Sequence, residues 1–123
     1  EGSVTLKKVT QEDVVVWEQL LSGASEVRKL SLEISNTGIC SLNLTVSYDN
    51  TNFVDELYFF DSLGQFVDFV SFPPEMIMSN SFFDNSGSFV FITQSQNSYS
   101  IHKKTIGSEY VCARCDSSAL TLS

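Results

Sequence analysis

Apolar and polar residues alternate along most of this chain, and a period of two is the mark of a β-strand. The segment KLSLEIS sets Leu30, Leu32 and Ile34 against Ser31, Glu33 and Ser35. SLNLTVSY repeats the pattern, with Leu42, Leu44, Val46 and Tyr48 opposed to Asn43, Thr45 and Ser47. Each predicts a strand with one face on a core and the other in water. Turn residues in SNTGIC stand between them, so residues 29–48 read as a hairpin or a sheet corner. Upstream, VTLKKVT and VVVWEQLL are two further strands joined by QED, and the second carries Trp17.

Further along, ELYFFDSLGQFVDFVSF contains two strands around a turn at DSLG, where Gly64 supplies a positive φ. FPPEMIMSNS is expected to cross between sheets, because two prolines remove ladder donors. FFDNSGSFVFIT gives a turn at DNSG and a Phe-rich strand, and NSYSIHKKTI and SEYVCA give the last two strands. A helix over EQLLSGASEVRKLSLE is disfavoured by Ser22, Gly23 and Ser25, which interrupt its apolar spacing. About nine short strands without a helix predict an all-β fold, an antiparallel β-sandwich or jelly roll of about eight to nine strands.

The chain has 123 residues, 42% of them hydrophobic and 12% aromatic, which suits one domain over residues 1–123 with a single core. It opens on Glu1 rather than Met and is expected to be a piece of a longer protein. No run of ~18 apolar residues is present, so direct insertion into a membrane as a helix is not expected.

Net charge is −8, and its distribution is uneven. The basic residues fall in Lys7-Lys8, Arg28-Lys29, Lys103-Lys104 and Arg114, while the span from Leu30 to His102 has acids and neither Lys nor Arg. A nucleic-acid surface needs clustered cations, and so does an anionic membrane; both are poor partners for this chain. A protein partner with a basic or neutral surface fits better, and a neutral glycan remains open.

Residues 48–56, YDNTNFVDE, gather Asp49, Asn50, Asn52, Asp55 and Glu56, oxygen donors of the kind that hold Ca²⁺, although polar loops are rich in Asp and Asn for their own reasons. No other cofactor is expected. Tyr48, Tyr58 and Tyr99 are candidates to stack on sugars, or else cap the core with their hydroxyls. Asn43-Leu44-Thr45 is a sequon; with Asn43 on the wet face it is a candidate glycosylation site. Low lysine, abundant Ser and Asn, and this sequon favour the lumen of the secretory pathway or the extracellular side. In that setting Cys40 is expected to bond Cys112 or Cys115, closing a loop of about 70 residues. Cys112 and Cys115 also form a C-x-x-C, but a zinc site would have to recruit Cys40 and His102 without the usual second knuckle, and no helix follows for a redox motif.

Catalysis has little to stand on. His102 is the single histidine; it lies in SIHKK beside two cations and is expected at a surface or sheet edge. Asp61 and Asp68 occupy turn and strand positions rather than a shared pocket. No catalytic residues are assigned, and the chain is not expected to be an enzyme.

SGSFVFITQSQNSYSIHKKTI resembles the end of GOLD (Golgi-dynamics) domains, which close with a Gly, an aromatic strand, an Asn-Ser bend and a Lys-bearing strand. Gly87, Phe89, Phe91, Asn97-Ser98, Ser100 and Lys103 or Lys104 carry that resemblance. ELYFFDSLGQFVDF is similar to the strand-turn-strand of the same fold, and VVVWEQLLSG to its Trp-bearing strand. The paired cysteines of the membrane-anchored cargo-receptor branch are missing; Ile92 and Thr93 stand where the second would be. CUB-like extracellular domains share the jelly roll and the turn at DSLG. The resemblance implies a non-catalytic protein–protein interaction module. A glycan-binding or calcium-dependent lectin-like module is the alternative, and an assembly jelly roll that pairs through an exposed edge such as VVVWEQLL is the third.

Overall fold

The computed structural model describes residues 2–106 and 110–116, with the side chains of 4–21 and 23–106. Among the described residues there are ten strands: β1 (Gly2–Val9), β2 (Val15–Ala24), β3 (Glu26–Ile34), β4 (Cys40–Ser47), β5 (Phe53–Phe60), β6 (Phe66–Ser71), β7 (Ile77–Phe83), β8 (Phe89–Ser95), β9 (Ser98–Lys104) and β10 (Tyr110–Asp116). All pair antiparallel. The strand missing from the sequence count is β7. Pro73 and Pro74 do make the crossing, but the ladder resumes at Ile77, on a sheet edge with β8 as its neighbour.

One five-residue turn joins four of the hairpins: Thr10–Val14, Ser35–Ile39, Asp61–Gln65 and Asp84–Ser88. In each, the first N–H donates to the carbonyl of the fifth residue, and the fourth N–H donates to the carbonyl of the first. The first side chain also accepts from the third and fifth backbone N–H groups, at 2.9–3.0 Å for Asp61 and 2.9 Å for Asp84. Thr10 and Ser35 do the same with their hydroxyls. The fourth residue has positive φ every time, as Asp13, Gly38, Gly64 and Gly87. This is the type I turn followed by a left-handed residue, and Asp, Ser or Thr at its start locks it locally.

Three sheets result, ordered β1-β2, β3-β4-β5-β6 and β10-β9-β8-β7. Each four-stranded sheet follows chain order, with one crossing at residues 72–76. The β-sandwich expectation therefore holds, but the connectivity is two meanders rather than the interleaved Greek keys of a jelly roll.

The sheet β3-β4-β5-β6 has a cover on each face. On one side the β1–β2 hairpin sets Leu6, with Val4, Trp17 and Leu21, against Cys40, Leu42, Leu44, Val46 and Phe60. On the other, Leu57, Phe59 and Phe72 pack with Met78, Phe89 and Phe91. Edge-to-face rings join the two layers, Phe59 with Phe89 at 5.2 Å and Phe72 with Phe91 at 5.6 Å. Polar ties span the same gap. Lys104 Nζ on β9 meets Asp68 Oδ2 on β6 at 2.7 Å, Met78 N donates to Asp55 Oδ2, and Ser81 Oγ donates to Glu33 Oε2.

Covering both faces corrects several expectations. Asn43 is 3% exposed, on the face closed by the second sheet, and its Nδ2 donates to the Glu56 carbonyl at 3.1 Å. The atom a glycan would occupy is thus enclosed, and Asn43 is no acceptor in this fold. His102 is buried rather than at an edge: it stacks on Phe91 at 4.6 Å and shares a 2.8 Å hydrogen bond with Thr93 Oγ1 through Nε2. Cys40 is a free, buried thiol. It opens β4 in one sheet, whereas Cys112 and Cys115 lie on β10 in the other, opposite His102 and Tyr99 in the ladder. The expected disulfide is not made at its Cys40 end; the side chains of Cys112 and Cys115 lie outside the described ones. Among the described residues no helix is long and apolar enough to cross a membrane.

Candidate functional site

The hairpin β1–β2 covers β4 and β5 and reaches β3 at Val27, but leaves Leu30, Leu32 and Ile34 exposed. Its position is set at the Asp61–Gln65 turn. Trp17 Nε1 donates to the Ser62 carbonyl at 3.3 Å, and Gln19 Nε2 donates to the Gly64 carbonyl at 2.7 Å. The indole lies so close to Gly64 that a Cβ there would stand 2.4 Å from Trp17 Cδ2. Gly64 is needed twice, for its φ of 82° and for the approach of the ring.

A cleft of about 270 Å³ is left beside the hairpin, lined by Leu6, Trp17, Leu32, Ile34 and Cys40 among others, with Lys7 and Lys8 also on its wall. It opens on an apolar stripe along β3, where Leu30, Leu32 and Ile34 are 54%, 45% and 66% exposed. Their ladder partners fare differently, since Leu42 and Leu44 are 1% and 3% exposed. Water contact with three aligned aliphatic side chains is unfavourable, and Lys8, on the same face of β1 as the buried Leu6, brings a positive charge to this wall of an acidic molecule. Trp17, Lys7 and Lys8 were not picked out as site residues by pattern. The signal was present as the Lys7-Lys8 doublet and a lone Trp facing each other across one hairpin, Lys8 pairing with Trp17 in register.

Cys40 is the thiol on the cleft wall. Burial pushes the Cys40 thiol up to about 11, so it is protonated near neutrality. Burial also lowers the His102 pKa, and that ring belongs to the opposite layer.

The five calcium candidates are dispersed. Asp49 Oδ1 accepts from the backbone N–H groups of Asn52 and Thr51, and Asp49 Oδ2 from Asn52 Nδ2. These bonds hold its carboxyl well below the usual carboxylate range. Asn50 takes the positive φ of that loop. Asp55 is occupied by Thr45 Oγ1 and Met78 N on one face of β5. Glu56 is on the other face, where Tyr48 and Tyr58 both donate to it. Among the described residues no three His, Cys, Asp or Glu side chains are placed to hold a metal ion. The hydroxyls of Tyr48 and Tyr58 are thus committed inward; burial, then Glu56, raises both phenol pKa values.

A second recess, about 300 Å³, is lined by Lys29, Thr45, Phe53, Asp55, Pro74, Met76 and Ile77. Comparison with protein-family models, with curated proteins and with solved structures finds no match for the chain.

Proposed function

We propose that the chain is a non-catalytic protein-interaction module that takes an extended, apolar segment of its partner along β3 and into the cleft beside Trp17. The observation that carries this is the exposed stripe Leu30, Leu32 and Ile34 running into a Trp-walled cleft with lysines at its side. Aliphatic and aromatic surface in a concave site is what recognition of a peptide chain uses, and the lysines favour an acidic residue flanking the apolar ones. Net charge alone pointed to a basic or neutral partner; the local sign at Lys7 and Lys8 is opposite, and contact chemistry follows the local sign. The resemblance to GOLD-type domains agrees with an interaction role. A lumenal or extracellular setting rests on composition, since the sequon is closed.

Trp17 is the sole tryptophan, so its fluorescence reports on the cleft. Peptides selected from a random display library on the immobilised chain are expected to have an apolar core with an acidic flank and to shift that emission on titration. Lys8→Glu is expected to weaken them about tenfold, mostly in low salt. Selected peptides that leave Trp17 unmoved, or bind the Lys8→Glu variant equally, would remove the proposal.

A further inference from the structure

We propose that the free edge of β3 pairs with β3 of a second copy of this chain, antiparallel about a two-fold axis at Ser31, joining two four-stranded sheets into one of eight. β3 ends its sheet, with β4 as its ladder partner there. Its register is regular from Lys29 to Ile34, beyond a bulge at Val27/Lys29. An end strand of that length presents a row of backbone donors and acceptors that another strand can complete.

The sequence of that edge is complementary to its own reverse. With Ser31 opposite the partner copy's Ser31, each Leu30 stands opposite a Leu32 and each Lys29 opposite a Glu33. The two leucine pairs fall on the hairpin side and extend the apolar stripe. Both Lys–Glu pairs fall on the other side, where Ser81 Oγ already holds the Glu33 carboxylate. Directly opposed residues in an antiparallel ladder share a face and touch, so opposite charges there attract and like charges repel. A two-fold axis makes every such contact occur twice.

The end strands β6 and β7 lack this property. β6 offers Asp68 as its charge, and self-pairing would supply no cation against it. β7 has no charged residue to choose a register, and it is bulged between Met78 and Asn80. On β3, Lys29 is exposed and Glu33 half-buried but fixed. Neither lines the Trp17 cleft, so although Leu30 and Leu32 serve both surfaces, charge exchange at Lys29 and Glu33 tests the pairing separately from peptide binding.

Sedimentation equilibrium of the chain across a wide concentration series tests it by charge exchange. Lys29→Glu and Glu33→Lys each place like charges opposite one another at both contacts and are expected to weaken dimerisation at least about tenfold. The double exchange restores opposite charges and is expected to return the dimer to within about threefold of the original. Should Glu33→Lys unfold the chain by losing Ser81, Glu33→Gln keeps a hydrogen-bond acceptor without the charge and is expected to weaken the dimer less. A chain that stays monomeric throughout overturns the inference. So does a dimer indifferent to Lys29→Glu, or a folded double exchange no better than the single changes.

Discussion

β3 and β4 are ladder neighbours with nearly the same alternation of leucine and polar residue, yet they end in opposite environments. On β4 even the polar row is enclosed: Ser41, Asn43 and Ser47 are buried beneath the second sheet, and Leu42, Leu44 and Val46 beneath the hairpin. On β3, beyond the half-buried Val27, even the apolar residues Leu30, Leu32 and Ile34 are exposed. Alternation defines two faces of a strand; what covers each face is decided by elements far away in sequence. Here those are the Trp17 and Gln19 anchors at the Asp61–Gln65 turn, which hold the hairpin over β4 and leave Leu30, Leu32 and Ile34 of β3 clear.

The largest test of this contrast is a pair of truncations on one ladder rung. Leu42→Ala is expected to cost about 2–5 kcal/mol in urea denaturation, because it opens a cavity in a closed layer. Leu32→Ala, directly opposite, is expected to stay within about 0.5 kcal/mol. Equal losses would mean that β3 is covered too.

The polar row gives a second pair. Asn43→Asp puts a carboxylate where the Asn43 Oδ1 meets no hydrogen-bond donor among the described residues, and about 3 kcal/mol should be lost at neutral pH. Burial would raise the new acid's pKa, so the loss should shrink as pH falls through that value. Ser31→Asp, its exposed rung partner, is expected to change stability by less than about 0.5 kcal/mol. A tolerated Asn43→Asp would put that face in water, as alternation alone suggested.

Hairpin placement is tested by two glycines in the same turn type. Gly64→Ala should lose about 2 kcal/mol or more, from positive φ and from displacing Trp17, and should widen the cleft. Gly87→Ala has open space around it and should lose about 1 kcal/mol from φ alone.

The smallest effect concerns the sheet that closes the polar row of β4. Burial lowers the His102 pKa in the folded chain below its unfolded value near 6.5. The unfolded state then binds the proton first. Stability is therefore full above that unfolded value and declines as pH falls below it, with a slope of at most about 1.4 kcal/mol per pH unit. Melting curves between neutral and mildly acid pH should show the decline, and His102→Gln should flatten it.

Most strands and three of the four shared turns were legible locally, because Asp61-x-x-Gly64, Asp84-x-x-Gly87 and Ser35-x-x-Gly38 fix φ and satisfy backbone N–H groups within five residues; the fourth, where Asp13 takes the positive φ, was expected only as a tight connection. β7 was hidden by the adjacent prolines. His102 was misplaced because only tertiary partners, Thr93 and Phe91, make its burial tolerable. Asn43 was misread for the converse reason: a polar residue was assumed to face water, and a second sheet lies over it. The cleft was legible only as the Lys7-Lys8 doublet and the lone Trp17, since its shape depends on what the hairpin fails to cover.

Hydroxyl-radical footprinting of dilute chain, read residue by residue by mass spectrometry, tests the central contrast most directly. Leu30, Leu32 and Ile34 should be oxidised rapidly and Leu42, Leu44 and Val46 protected, and a bound cleft peptide should protect Leu32 and Ile34. Equal protection of the two strands before any partner is added would contradict the account.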